Sequence, residues 1–181
     1  MMLKRTRSEG NYAIRRGVPA DARGIIECMQ SVMDEKIYLV SEYYLLTERG
    51  EQERLKNKDD LTLVCEVNGK IVGVTTIQRG MYRKNRHTAS LGIAVKKDYR
   101  HMHIGTKMIA EAISWSKQQG IDKINLEVFS SNVDAIKAYR KLGFQYEGVR
   151  KRQFLIGDQY VDDVLMTYFT SAWNDDRTFG V

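Results

Sequence analysis

The amino-acid sequence predicts one α/β domain, a mixed and mostly antiparallel sheet of about seven strands flanked by about four helices. Three observations carry that expectation. Apolar residues switch along the chain between a helical period and strict alternation. Two short turn pairs, Asn68-Gly69 and Gly157-Asp158, each separate two strand-like runs. A meander fills the middle of the chain, and helices separate the strands that follow, so parallel pairing is expected beside antiparallel pairing.

Tyr12-Ala-Ile-Arg-Arg reads as a first strand. Pro19-Ala-Asp-Ala then opens a helix, with proline suited to a first turn, and Ile25, Ile26, Met29, Val32 and Met33 form its apolar stripe. A second helix is expected over Glu42 to Lys56, a stretch rich in helix formers. Leu61 to Val67 and Lys70 to Gln78 read as strands joined at Asn68-Gly69, and His87 to Val95 as the next strand. A helix follows with Ile104, Met108, Ile109, Ala112 and Ile113 on one side, closed by Gly120. Lys123 to Phe129 is a strand, Asn132 to Leu142 a short helix closed by Gly143, and two strand-like runs end the pattern around Gly157-Asp158.

The chain has 181 residues, 43% hydrophobic and 29% charged, a globular balance large enough for a core without disulfides or metals. It shows no repeat, low-complexity tract or linker, so residues 1–181 are read as one domain, with residues 1–10 a flexible extension. Cys28 and Cys65, in mostly apolar segments without metal-ligand spacing, read as reduced core thiols. No run approaches the length of a membrane span, and the polar, basic start lacks a secretory apolar stretch, so the expected compartment is the cytoplasm. The net charge of +6 suits an acidic partner or a phosphorylated ligand without choosing between them. Small basic clusters at Lys4–Arg7, Arg83–Arg86 and Arg150–Arg152 read mostly as solvated surface. Nucleic-acid binding is set aside because no basic motif interleaved with aromatics is present.

The most informative stretch runs from Val95 to Thr106, where a strand ends, a short basic turn follows and a helix begins. The first N–H groups of a helix lack intrahelical partners and favour an anion. Gly105 would let a phosphate approach the backbone, and Arg100 would add charge and donors. The competing reading is a basic loop in front of a surface helix. Further on, Asn132, Ala135, Ile136 and Tyr139 share one helical face, on which small Ala135 leaves room for a ligand. Asn132 also reads as a helix cap.

Arg100-x-x-His103-x-Gly105 resembles the central motif of the GCN5-related N-acetyltransferases (GNAT), and Asn132-x-x-Ala135-x-x-Ala138-Tyr139-x-x-x-Gly143-Phe144 resembles their second signature, in the family's order. His103 stands where the first glycine of the pattern lies. The strand Gly92 to Val95, the elements over residues 61–169, Ile14-Arg15 and the helix after Pro19-Ala-Asp21 agree with the family's layout. The resemblance implies a GNAT-like sheet with splayed central strands and acetyl-CoA as co-substrate without a metal. It implies a cofactor site formed by Ile93, Ala94, Val95, Arg100, His101, His103, Ile104, Gly105, Thr106, Asn132, Ala135 and Tyr139. Ile93 to Val95 would offer backbone groups to the thioester carbonyl and the pantetheine arm, which Asn132 would also contact. Tyr139 would be the acid for the departing thiolate.

Leu126-Glu127-Val128 resembles the arrangement in ribosomal-protein N-terminal acetyltransferases, which implies Glu127 as the base, its carboxylate alternating away from Leu126 and Val128. A partly buried carboxylate would hold a proton near neutrality. A glutamate paired with a lysine or arginine, or a water chain to solvent, stands beside that reading. The acceptor amine would enter opposite the cofactor, near Tyr38, Glu42, Tyr43, Tyr44 and Tyr160. The ending Glu147 to Arg152 and Tyr160 to Met166 resembles the branch acting on amino acids, peptide N-termini and ribosomal proteins, while polyamines stay open as acceptors. A non-catalytic acyl-CoA-binding module is the alternative from another class. The C-terminal hairpin permits a homodimer.

Overall fold

The computed structural model describes residues 6–7 and 12–171 of the chain. In chain order the elements are β1 (Thr6–Arg7), β2 (Tyr12–Arg16), α1 (Ala22–Met33), α2 (Glu48–Leu55), β3 (Leu61–Val67), β4 (Lys70–Arg79), β5 (Thr88–Val95), α3 (Ile104–Gln118), β6 (Lys123–Phe129), α4 (Val133–Lys141), β7 (Gln145–Ile156) and β8 (Gln159–Phe169). The strands form one sheet in the order β1-β2-β3-β4-β5-β6-β8-β7. Only the β5–β6 pair is parallel among the described strands, which α3 makes possible as the crossover.

That pairing positions the site. β5 and β6 pair only through Thr88–Lys123, Ala89–Ile124 and Ser90–Asn125. Beyond Ser90, β5 keeps β4 along its other side as far as Val95, and β6 follows β8 as far as Phe129. The two central strands therefore splay into a V.

Each face of the sheet is fixed by an apolar stripe. Ile104, Met108, Ile109, Ala112 and Ile113 of α3 are buried against Leu63, Val72, Leu91, Leu126 and Met166. Ile25 and Cys28 of α1 pack with Val64, Ile71 and Val74 on the other side. Asn68 and Gly69 take φ of 49° and 75° between β3 and β4, the conformation a two-residue hairpin requires.

Two expectations need correction. Thr6–Arg7, inside the stretch read as a flexible extension, pairs with Ala13 and Ile14 as a strand. The rest of residues 1–10 lies outside the described residues. The second helix starts at Glu48 rather than Glu42, because the Thr47 hydroxyl accepts from the Gly50 N–H at 3.2 Å and caps it there. Side chains hold the preceding segment in an irregular path. The Gln30 amide accepts from the Tyr44 N–H at 3.0 Å and donates to the Glu42 carbonyl at 3.1 Å. The Tyr44 hydroxyl donates at 2.7 Å to Glu51, which is fully buried and paired with Arg54. A buried carboxylate needs such partners, and here they decide the fold of the segment.

Candidate active site

The V between β5 and β6 opens into a cleft of about 680 Å³. One wall is Leu91–Val95, whose backbone on the β6 side has lost its strand partner. The other wall is Glu127, Val128 and the Asn132–Ala135–Tyr139 face of α4, and the start of α3 closes one end. Every residue expected to hold the cofactor lines this cleft: Ile93, Ala94, Val95, Arg100, His101, His103, Ile104, Gly105, Thr106, Asn132, Ala135 and Tyr139.

The start of α3 is uncapped. His103 stands at its N-cap with no side-chain hydrogen bond, and the first helical bond runs from the Lys107 N–H to the His103 carbonyl at 3.1 Å. The N–H groups of Ile104, Gly105 and Thr106 make no hydrogen bond to a described residue. Three open donors at the positive end of a fifteen-residue helix favour an anion there. His103 takes φ of 59° and His101 of 61°, so the histidine in the glycine position of the motif adopts the left-handed conformation that glycine takes with ease. A Cβ on Gly105 would meet only Ile93 Cδ1 at 3.5 Å and Val95 Cγ2 at 3.8 Å, ordinary contacts. The protein itself does not require glycine there; the space is free for a ligand. Lys137 and Lys141 join the histidines on the lining and suit a phosphorylated ligand.

Arg100 is committed differently from the expectation. Its Nε donates to the Val95 carbonyl at 2.9 Å, Nη1 donates to Glu35 at 2.8 Å, and Nη2 pairs with the second oxygen of Glu35. Its guanidinium also lies 4.6 Å from the centre of the Tyr38 ring. Arg100 thus ties the turn to the segment after α1, and the open backbone N–H groups are the stronger anion donors. Glu35 carries no motif, so its role had no signal in the sequence.

On α4, the Asn132 side chain accepts from the Ala135 N–H at 3.3 Å, a weak cap that leaves its amide N–H groups free of described partners. Tyr139 is 8% exposed, and burial pushes its hydroxyl up to about 12. Its ring rests against Phe144, 5.8 Å between centres, and its hydroxyl has no hydrogen bond to a described residue. It therefore stays protonated at neutral pH, as a donor to a departing thiolate must.

Glu127 lines the cleft, but its side chain is 57% exposed, so the expected partial burial is absent. It pairs instead with Arg150 Nη1 at 3.0 Å, as one reading of the sequence allowed. The same Nη1 lies 2.7 Å from Asp163, whose side chain is 1% exposed. Burial pushes the Asp163 carboxyl up, the nearby Glu127 charge adds to that, and Arg150 opposes both. Asp163 interrupts the apolar run Val161–Met166, a signal that could have singled it out.

Among the acceptor candidates, Tyr38 reaches the cleft. Glu42 is exposed and faces Lys36 at 3.5 Å, Tyr43 is exposed, and Tyr44 is spent on Glu51. Tyr160 lies outside the cleft and stacks on Arg152 at 4.1 Å. Among the described residues no cluster of His, Cys, Asp or Glu is placed to hold a metal ion, and no helix is long and apolar enough to cross a membrane.

Comparison with known proteins agrees with the fold. The model of the acetyltransferase (GNAT) family matches residues 26–144. The L-amino acid N-acetyltransferase of Escherichia coli is 33% identical over 120 residues, 64% of this chain and 72% of that protein. An N-alpha-acetyltransferase of Sulfurisphaera tokodaii is 29% identical over 158 residues, 81% of this chain and 88% of that one. A GNAT acetyltransferase structure from Streptococcus pneumoniae superposes with a TM-score of 0.82 at 28% identity, covering 87% of this chain and 98% of that chain. A phosphinothricin acetyltransferase from Sinorhizobium meliloti, solved with acetyl-CoA, shares the fold at 18% identity, with a TM-score of 0.79 over 88% of this chain and 89% of that one.

Proposed function

Because this chain belongs to the acetyltransferase (GNAT) family and is an acetyl-CoA-dependent acyltransferase, we propose that it moves the acetyl group directly to a primary amine, with Glu127 receiving the amine proton and Tyr139 supplying one to sulfur. The observation that carries this reading is the meeting, in one cleft, of the uncapped start of α3, the unpartnered edge of β5 and the buried Tyr139.

In this reading the pyrophosphate of acetyl-CoA lies on the N–H groups of Ile104, Gly105 and Thr106. The pantetheine arm follows Ile93–Val95 and passes Asn132 and Ala135. The amine enters from the α1 side of the sheet, beside Glu127. Its nitrogen lone pair attacks the thioester carbon once a proton has passed to Glu127, directly or through water. The developing oxyanion takes N–H donors from the β5 edge. The C–S bond then breaks, its electron pair goes to sulfur, the nitrogen gives up its second proton to water, and the thiolate takes the Tyr139 proton, which solvent replaces. The products are the N-acetyl amine and free coenzyme A, with no covalent enzyme intermediate. The exposure of Glu127 supports proton exchange with bulk water, and its pairing with Arg150 means that the incoming ammonium competes with a guanidinium for the carboxylate.

The relatives, an L-amino acid N-acetyltransferase, an N-alpha-acetyltransferase and a ribosomal protein bS18-alanine N-acetyltransferase, support an amino acid or a peptide or ribosomal-protein N-terminus as acceptor, ahead of a polyamine. Residues 1–181 act as one domain in this reading, and the acetyl-CoA requirement favours the cytoplasm. The test is a screen of amino acids, polyamines, aminoglycosides and N-terminal peptides, followed by thiol release and by mass spectrometry of the acetylated amine. Amine-dependent release is expected. Tight acetyl-CoA binding with no release for any amine would instead favour a non-catalytic acyl-CoA-binding module.

A further inference from the structure

The basic run Arg150-Lys151-Arg152 lies in a bulge of β7 built to hold it. Arg150 pairs with Asp163 and Phe154 with Val161, so Lys151, Arg152 and Gln153 stand opposite Asp162 alone. Asp162 holds the bulge, accepting from the Arg152 N–H at 2.7 Å and from Lys151 Nζ at 2.9 Å, while Arg152 takes φ of 53°. Bulges re-aim side chains beside sites. Here the strand re-aims just after Arg150, whose Nη1 is held by buried Asp163 and touches Glu127 at the cleft. Its Nε and Nη2 carry no hydrogen bond to a described residue, and the side chain is 47% exposed. A guanidinium anchored by one terminal nitrogen, with the rest of its fork free, can receive a second anion.

We propose that Arg150 reads the carboxylate of a free α-amino acid whose ammonium lies on Glu127, making the acceptor a zwitterion rather than a peptide N-terminus or a polyamine. This rests on the acetyltransferase reading above. In an α-amino acid the nitrogen and the carboxyl carbon are about 2.5 Å apart by standard bond lengths. Glu127 and Arg150 present opposite charges at 3.0 Å. A zwitterion laid antiparallel to that pair sets each of its charges against its opposite. A peptide N-terminus has only a neutral carbonyl at that point, and a polyamine brings further positive charge toward the guanidinium. Asp163 is then a positioning residue that keeps Arg150 in place when the substrate ammonium displaces it from Glu127.

The test compares each L-amino acid with its own C-terminal amide, in the wild type, Arg150→Ala and Arg150→Lys. Turnover is read by thiol release, and binding to the protein saturated with coenzyme A by calorimetry. Arg150→Ala leaves Asp163 buried without its partner, so Arg150→Gln with Asp163→Asn is measured beside it, and coenzyme A affinity reports folding. The wild type is expected to favour the acid over the amide by at least about tenfold, the scale of one charge-assisted hydrogen bond. Arg150→Ala should abolish the preference in KM for the acid over the amide, on top of whatever change it makes to both through Glu127, and Arg150→Lys should restore part of the preference. Equal use of acid and amide by the wild type, or an equal loss on both in every variant, overturns the proposal while leaving the acetyltransferase standing. Carboxylate-dependent binding that requires Arg150, with no turnover on any amine, overturns the acetyltransferase reading and with it the acceptor, leaving Arg150 as a carboxylate-binding residue alone.

Discussion

Gly105→Ala moves stability and cofactor affinity in opposite directions. In the protein alone the new methyl group meets Ile93 Cδ1 at 3.5 Å and Val95 Cγ2 at 3.8 Å, so it fits without displacement. Gly105 is the second residue of α3, where alanine is the better helix former by up to about 1 kcal/mol. For a chain of this size that raises Tm by about 1–4 °C. The same methyl group occupies the space through which a phosphate reaches the Gly105 N–H. Forcing extra volume into a filled contact costs about 1–3 kcal/mol, so Kd for acetyl-CoA should rise by about fivefold to a hundredfold. The assays are a thermal melt without ligand and calorimetric titration with acetyl-CoA. A raised Tm with unchanged affinity would remove this turn from the site. A lowered Tm would refute the reading that glycine there serves a ligand and not the fold.

Tyr139→Phe should lower kcat at least tenfold, within the usual range for loss of a general acid, with acetyl-CoA affinity changed less than about twofold; unchanged turnover across several amines would refute the acid assignment. Burial holds the Cys28 thiol up at about 11 and Cys65 at about 12, and both are fully buried. A disulfide reagent should therefore label neither cysteine in the native protein and both after denaturation, and rapid native labelling would contradict their place in the core. His103→Gly removes a side chain from a left-handed position, φ 59°, and should hold or raise stability by up to about 1 kcal/mol in urea titration; a tenfold loss of acetyl-CoA affinity in this variant would show that the imidazole itself binds phosphate. Burial alone would raise the Asp21 carboxyl, but Arg15 at 2.6 Å and the Val18 N–H at 2.8 Å outweigh it and hold it below its ordinary range. A lowered pKa stabilises the fold above the unfolded value and loses that contribution as pH falls through the folded one, so the wild type should lose its advantage over Asp21→Asn below about pH 4. An advantage that persists at lower pH would contradict the assignment.

The two motifs were legible because each is local. A helix start after a basic turn and a helix face at i, i+3, i+4 and i+7 are fixed by spacing, so Ile104–Thr106 and Asn132–Tyr139 fall where the pattern implies. The period of the apolar residues likewise located the strands from β2 to β8 and the helices α1, α3 and α4, while the start of α2 was missed. What the pattern did not contain depends on contacts far apart in the chain. Arg100 meets Glu35 across 65 positions, and the path of residues 34–47 is decided by the buried Tyr44–Glu51–Arg54 group rather than by helix propensity. The exposure of Glu127 follows from the splay of β5 and β6 and from its place beside Arg150 on β7. The bulge that presents Arg150 arises from register between β7 and β8, for which Asp162 and Asp163 left only a break in an apolar run.

Amide hydrogen exchange followed by NMR, with and without acetyl-CoA, tests most directly whether the cofactor is held on the backbone of this cleft. The open N–H groups of Ile104, Gly105 and Thr106, with those of Ile93–Val95 that face β6, should gain strong protection when acetyl-CoA binds. Tight binding that leaves the start of α3 exchanging as in the free protein would contradict the account.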